Sequence, residues 1–414
     1  MAKNYYRLWD LFYGDYDRQY CEKNQLFIDT DKQGRVKHMT KSLVDYAFEI
    51  ISTDLSLIFG KGIELYDPDN EANTQRLEKI LKFNNFDTLS KLMTLQGLIL
   101  GDTAAKVGRD DNGKIRIGLV NFLNGDVEYV KQYGEIVAWI YKYQMPHENG
   151  TIKVREVYTR DRVQIFYDEK TVIDVPNRYG EFWFVFAPNI PSINYDVWGE
   201  SELERIGDTI DEMNSILSRI TAIADVYAKP RIIAKNLADP GSLKREDNIW
   251  AVNAEDIRIL EYSGNVIPSL LQTYDRLENY LRNKCPELIL NDLGNISGYA
   301  LKLKLSKLIR KIENYRDVYF EAFKKIARLA LMMDGVENPN IEIKAGPVIP
   351  ADEVEDLNRW IQLISMNLVS KETAAQALGI DWEAEQEKIN KEIEMLAARF
   401  MGGENDVSGD TGAI

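Results

Sequence analysis

The chain has 414 residues, 45% hydrophobic and 28% charged, with a formal net charge of −15. That acid excess excludes a general nucleic-acid binder, which would be basic, but not a surface past which duplex DNA slides without being held. Two cysteines, Cys21 and Cys285, cannot build a disulfide framework or a Cys-based metal site, and no apolar run is long enough to cross a bilayer.

The length predicts two or three cores. The opening Met-Ala-Lys-Asn-Tyr-Tyr-Arg lacks the apolar stretch of a signal peptide, and the cysteine usage fits a reducing compartment. Residues 1–40 are polar and aromatic-rich and read as an extended arm or a short peripheral element. A helix is predicted from Ser42 to Phe59, with Leu43, Ala47, Ile50 and Ile51 on one side and Gly60 ending it. Two more are predicted at 73–84 and 87–100, the second capped by Asp87 and closed by Gly101. Strands follow at 103–108 and 114–119 around the turn Asp110-Asp-Asn-Gly113, then at 126–131, 135–144, 151–159, 162–167 and 170–175. An antiparallel meander with helices packed on it makes an α+β fold class.

Leu203, Ile206, Ile210, Met213, Leu217, Ile220, Ala224 and Tyr227 then alternate steps of three and four. That 3.5-residue repeat predicts a helix packed lengthwise on others. Its remaining faces hold seven acids against Arg205 and Arg219, and Lys229-Pro230 stops it. Short strands at 231–234, 249–252 and 257–260 form a compact insert, after which a helix starts at Pro268 and halts at Pro286. A polar loop, Pro286 to Gly298, leads into an unbroken helical pattern from Tyr299 to Met333. Its apolar residues recur at 301, 305, 308, 312, 315, 319, 323, 326 and 330, and it would span on the order of 50 Å. It carries nine Lys or Arg against three acids, a basic rod in an acidic chain. A strand at 340–344, a hinge at Gly346-Pro347 and Pro350, and three short helices complete the reading. Of these helices, Ser370 caps the second and Asp381 the third, before a Gly- and Asp-rich tail that reads as disordered.

Chemistry is hard to find. His38 and His147 have no partners at metal or triad spacing. No phosphate loop or dinucleotide fingerprint is present, and Ser42, Ser201 and Ser297 have no general base at motif spacing. The acidic turns at Asp67-Pro-Asp69 and Asp110-Asp111 could coordinate a divalent cation, although solvated turns are the more common meaning of such clusters. The residues therefore point to a non-enzyme without cofactor or metal.

Several local pieces, in this order, resemble the bacteriophage portal protein family. Trp198-Gly-Glu-Ser201, running on through Asp208 and Asn214 to Ser218, is similar to the family's Gly-x-Ser stretch into its first stem helix. Ala228-Lys-Pro230 resembles its Ala-x-Pro exit, and Asn295-Ile-Ser-Gly-Tyr-Ala-Leu301 its Ser-Gly-x-Ala-Leu stretch after the tunnel loop. Gly101-Asp-Thr-Ala-Ala-Lys-Val107 resembles the turn into the wing strands, and Leu368 to Gly379 the C-terminal helix pair. Asn177-Arg-Tyr-Gly180 departs from the family's Asn-Pro-x-Gly.

The resemblance implies an N-terminal arm (1–40), a wing (41–199 and 301–349), stem helices (200–229 and 266–285), a clip (230–265), a tunnel loop (286–300), a crown (350–400) and a tail (401–414). It implies a dodecameric ring at one capsid vertex of the virion, assembled in the host cytoplasm with major capsid and scaffolding proteins. Double-stranded DNA would pass through it on packaging and ejection. The large terminase subunit, and later a head-completion adaptor protein, would dock on the clip through Lys244, Arg245, Glu246, Asp247 and Trp250. Leu290, Asn291, Asp292, Leu293, Asn295, Ile296 and Ser297 would form the DNA-facing loop, with Glu204, Asp208 and Asp211 on the channel face of the stem. No membrane partner is implied. The alternative is a soluble helical scaffold or adaptor that never touches DNA.

Overall fold

The computed structural model describes residues 3–14, 29–30, 36–38, 44–147, 150–228, 232–234, 249–251, 266–288, 298–348, 360–366, 368–377, 382–388 and 390–391. The chain divides into two compact units, Met1–Ile349 and Pro350–Ile414.

The first unit begins with a helix where an arm is expected. In α1 (Tyr5–Tyr13) the Asn4 side chain accepts from the Arg7 amide and Gly14 closes the end in the left-handed region. Leu8, Leu11 and Phe12, spaced by three and one, form a buried stripe, so the aromatic-rich start is part of the core. Strands β1 (Asp29–Thr30) and β2 (Val36–His38) pair antiparallel. Helix α2 (Tyr46–Phe59) buries Ala47, Ile50, Ile51, Asp54, Ile58 and Phe59, and β3 (Ile63–Tyr66) follows. Helix α3 (Glu71–Phe83) is capped by Asn70, which accepts from the Ala72 and Asn73 amides. In α4 (Phe86–Leu100) the capping position belongs to Asn85, not Asp87. Asp87 stands second in the helix, where its charge meets the positive end of the helix dipole. Gly101 closes α4 at φ +84°, its amide donating to the Gly97 carbonyl.

Two sheets follow. Strands β4 (Asp102–Arg109) and β5 (Ile115–Leu119) form a hairpin about the Asp110–Gly113 turn. Strands β6 (Gly125–Gln132), β7 (Glu135–His147), β8 (Gly150–Thr159), β9 (Arg162–Tyr167) and β10 (Lys170–Pro176) make a five-stranded meander in the order β10-β9-β8-β7-β6. Strand β11 (Phe184–Pro188) returns to pair with β4, giving the order β11-β4-β5. Between the sheets Trp139 stacks on Phe184, with Phe186 and Trp198 around it. The short strands β12 (Ile190–Pro191) and β13 (Gly199–Glu200) then bring the chain to the lengthwise helices.

Helix α5 spans Gly207–Ala228. It starts later than the apolar repeat, because Ser201 and Glu202 are tied to α4 and residues 203–206 form turns. The Ser201 hydroxyl donates to the Ile99 carbonyl at 2.5 Å and the Glu202 amide to the Leu98 carbonyl. The end of α4 thus claims the backbone that would have been the first helical turn. Strands β14 (Ile232–Ala234) and β15 (Ile249–Ala251) pair in parallel, while the third strand expected at 257–260 lies outside the described residues. Helix α6 (Val266–Lys284) packs on α5. Helix α7 (Gly298–Met333) runs 36 residues and packs on α2, α3, β4 and β11. Its predicted stripe is buried from Leu305 through Leu308, Ile312, Tyr315, Tyr319, Phe323 and Ile326 to Ala330. Strand β16 (Glu342–Ala345) pairs with β3.

In the second unit, residues 360–365 are helical. Helix α8 (Lys371–Ala377) is capped by Ser370, whose hydroxyl accepts from the Thr373 amide at 3.1 Å. Residues 382–388 and 390–391 are helical as well.

Candidate functional site: the joint between the paired helices and the long helix

The long helix is anchored by its own cations. Arg316 donates to the carbonyls of Leu57 at 3.0 Å, Ile58 at 2.9 Å and Gly346 at 2.7 Å. Two of these lie at the end of α2, where unpaired carbonyls attract positive charge. Five residues earlier, Lys311 Nζ lies 2.5 Å from Glu202 Oε1, 2.7 Å from Glu287 Oε1 and 3.1 Å from Asp54 Oδ2. Tyr315 donates to the other Glu202 oxygen. One ammonium therefore joins four segments: α2, the lead-in to α5, the turn after α6, and α7.

Burial decides the electrostatics here. The side chains of Asp54 and Glu287 are fully buried. Burial drives the Asp54 carboxyl well above the usual carboxylate range; Lys311 opposes this, and the charges of Glu287 and Glu202 add to it. Burial alone would lower the Lys311 pKa, but Glu202, Asp54 and Glu287 overcome it and raise it. The neighbouring Cys285 thiol is pushed up to about 12 by burial and by Glu287. The joint thus holds charge in place and presents no nucleophile with a base, and no group fit for a metal occurs among the described residues.

A second anchor holds the N-terminal residues to the lengthwise helix. Arg7 pairs with Asp208 and, at 3.1 Å, with Asp211. Asp211 is buried, whereas the Asp208 side chain is 89% exposed. Glu204 accepts from the Tyr195 hydroxyl. Of the three carboxylates expected on the channel face of the stem, Asp208 and Asp211 are brought together by Arg7, and Glu204 has its own partner in Tyr195. Sequence reasoning did not single out Arg7.

The two motifs at Gly101 and Trp198-Gly-Glu-Ser201 meet in space. A Cβ on Gly101 would come within 2.7 Å of the Ser201 amide nitrogen, and one on Gly199 would overlap the Gly101 carbonyl. Only glycine permits this approach. Asp102 seals it: it accepts from the Gly199 amide at 2.8 Å, from Lys3 at 2.5 Å and from Tyr5 at 2.8 Å.

Of the predicted loop, Leu290, Asn291, Asp292, Leu293, Asn295, Ile296 and Ser297 lie outside the described residues, as do Lys244, Arg245, Glu246 and Asp247. Trp250 belongs to β15. The described residues flanking the loop are the Pro286–Leu288 turn on one side and the start of α7 on the other. Lys311 ties that turn to that helix. Farther out, Lys307 and Arg310 are exposed and have no ion-pair partner among the described residues.

A family model described as "Phage portal protein, SPP1 Gp6-like" matches residues 5–398. The chain belongs to the phage portal protein family. The match takes in both units, from α1 to the helical residues after α8. This portal family is structural and non-enzymatic. Membership makes the chain a portal protein of the phage head-tail connector, a component of the virion capsid. No described helix of this portal chain is long and apolar enough to cross a membrane. Among solved structures the chain is similar to one described as "Neck of empty GTA particle computed with C6 symmetry". That match has 14% identity and a TM-score of 0.46, and covers 81% of this chain and 89% of the other. No curated protein sequence matches the chain.

Proposed function

We propose that this portal protein forms a dodecameric ring that conducts double-stranded DNA during packaging and ejection. The observation that carries the reading is the family match across residues 5–398. A homo-oligomeric ring needs two complementary faces on each subunit, and the exposed Glu212 of α5 and Lys307 and Arg310 of α7 offer opposite charges for such pairing. The net charge of −15 suits a lumen that DNA slides past, because few cations hold few phosphates.

In this reading the paired helices α5 and α6 are the stem and α7 is the beam of the wing. Residues 230–265 are the clip, and residues 350–400 the crown. Leu290, Asn291, Asp292, Leu293, Asn295, Ile296 and Ser297 form the tunnel loop. Terminase and the head-completion adaptor dock at the clip through Lys244, Arg245, Glu246, Asp247 and Trp250. Asp208 on α5 and Glu204 on its lead-in are the channel-face carboxylates. Asp211, buried against Arg7, acts inside the subunit instead. The joint at Lys311 holds the root of the loop to the beam.

The loop assignment is tested by Asp292→Lys. Heads assembled with this variant are expected to package less DNA while its rings form as in the wild type. Equal packaging would remove Asp292 from the DNA path.

A further inference from the structure

Three carboxylates meet one ammonium at the joint, and two of the carboxylates are fully buried. A single cation offsets a single anion, and a surplus buried anion is costly in a low-dielectric interior. The hydrogen bonds show which carboxylate is least able to carry charge. Glu202 accepts from Lys311 and from Tyr315, and Glu287 accepts from Lys311. Among the described residues neither Asp54 oxygen accepts a hydrogen bond, although Oδ2 lies 3.1 Å from Lys311 Nζ, whereas Glu287 lacks a partner at Oε2 alone.

We propose that the joint is a proton-dependent fastener: Asp54 carries a proton at neutral pH, and releasing it to solvent as the pH rises loosens the Pro286–Leu288 turn from the long helix. Released, the proton leaves three carboxylates around Lys311, and the turn that carries Glu287 is the shortest of the segments they hold. This goes beyond the portal reading and stands whether or not a ring forms.

The groups facing Asp54 are Glu202 from the lead-in to α5, Cys285 and Glu287 from the turn, and Lys311, Tyr315 and Tyr319 from α7. Lys311 and Tyr315 are both shifted upward and stay protonated through the neutral range, as does the Cys285 thiol. Burial likewise raises Asp54. A group whose folded pKa is raised takes up a proton on folding. Its contribution to stability is full below the ordinary aspartate range and is lost as pH climbs through the raised value.

The test is hydrogen exchange of the purified full chain, followed by mass spectrometry on peptides spanning Leu281–Leu288 and corrected for intrinsic exchange. Between about pH 6 and about pH 9 the wild type is expected to lose about tenfold in protection there, and Asp54→Asn to show no such slope. A flat wild-type profile, or the same slope in Asp54→Asn, overturns the proposal. Infrared spectra of the wild type alone give a second reading that does not depend on the variant folding. A protonated-carboxyl band present at neutral pH and lost at high pH supports the proposal, and its absence at neutral pH overturns it.

Discussion

The Tyr319 hydroxyl donates to Asn189 Oδ1 at 2.7 Å directly against Gly97, with all three residues in the interior. A Cβ at Gly97 would overlap that hydroxyl and come within 3.0 Å of the ring. The contact seats the tip of the Tyr319 side chain from α7 on the backbone of α4. Gly97→Ala is therefore expected to cost about 1–3 kcal/mol in denaturant unfolding, through overpacking. Tyr319→Phe removes the clashing oxygen but leaves Asn189 without its donor, at about 1–3 kcal/mol. The double variant should be less destabilised than the sum of the singles, and simple additivity would show that the contact is not tight.

Lys311→Met replaces the one cation of the joint with an apolar chain of similar length. Asp54, Glu202 and Glu287 are then left together without an ammonium. Breaking a buried ion pair by removing one partner costs about 3–5 kcal/mol, so the variant is expected to unfold at markedly lower denaturant. A loss below about 1 kcal/mol, the level of a surface pair, would show that solvent reaches the joint.

Arg7→Ala tests whether the N-terminal helix is part of the core. It leaves the buried Asp211 without its Arg7 partner and frees the exposed Asp208. Only the buried pair should count, at about 1–3 kcal/mol. Faster exchange of the amides in residues 5–13 should accompany the loss, and an unchanged exchange rate would show that α1 docks through Leu8, Leu11 and Phe12 alone.

The long helix and the meander were legible in the sequence because their periods are strong. Residues 305 to 330 keep steps of three and four, and turns such as Asp110–Gly113 punctuate the strands. The joint was less legible, yet it left a trace. Lys311 stands three residues after Leu308 and four before Tyr315, and Asp54 three after Ile51 and four before Ile58. Both are charges set on an apolar stripe. A charge count over the whole helix averages that signal away. Which charges meet is fixed by packing between segments distant in the chain, and spacing does not encode that. The core role of α1 is hidden in the sequence for another reason. Tyr5, Tyr6, Trp9 and Tyr13 dominate its composition, while the burial rests on Leu8, Leu11 and Phe12. The predicted loop and clip residues other than Trp250 lie outside the described residues, so only their anchors can be compared.

Whether this chain builds a closed conduit is decided by electron microscopy of the purified full chain, with native mass spectrometry for copy number. The expected result is a closed ring of about a dozen subunits with a central channel wide enough for duplex DNA. A monomer or dimer that persists at high concentration would contradict it.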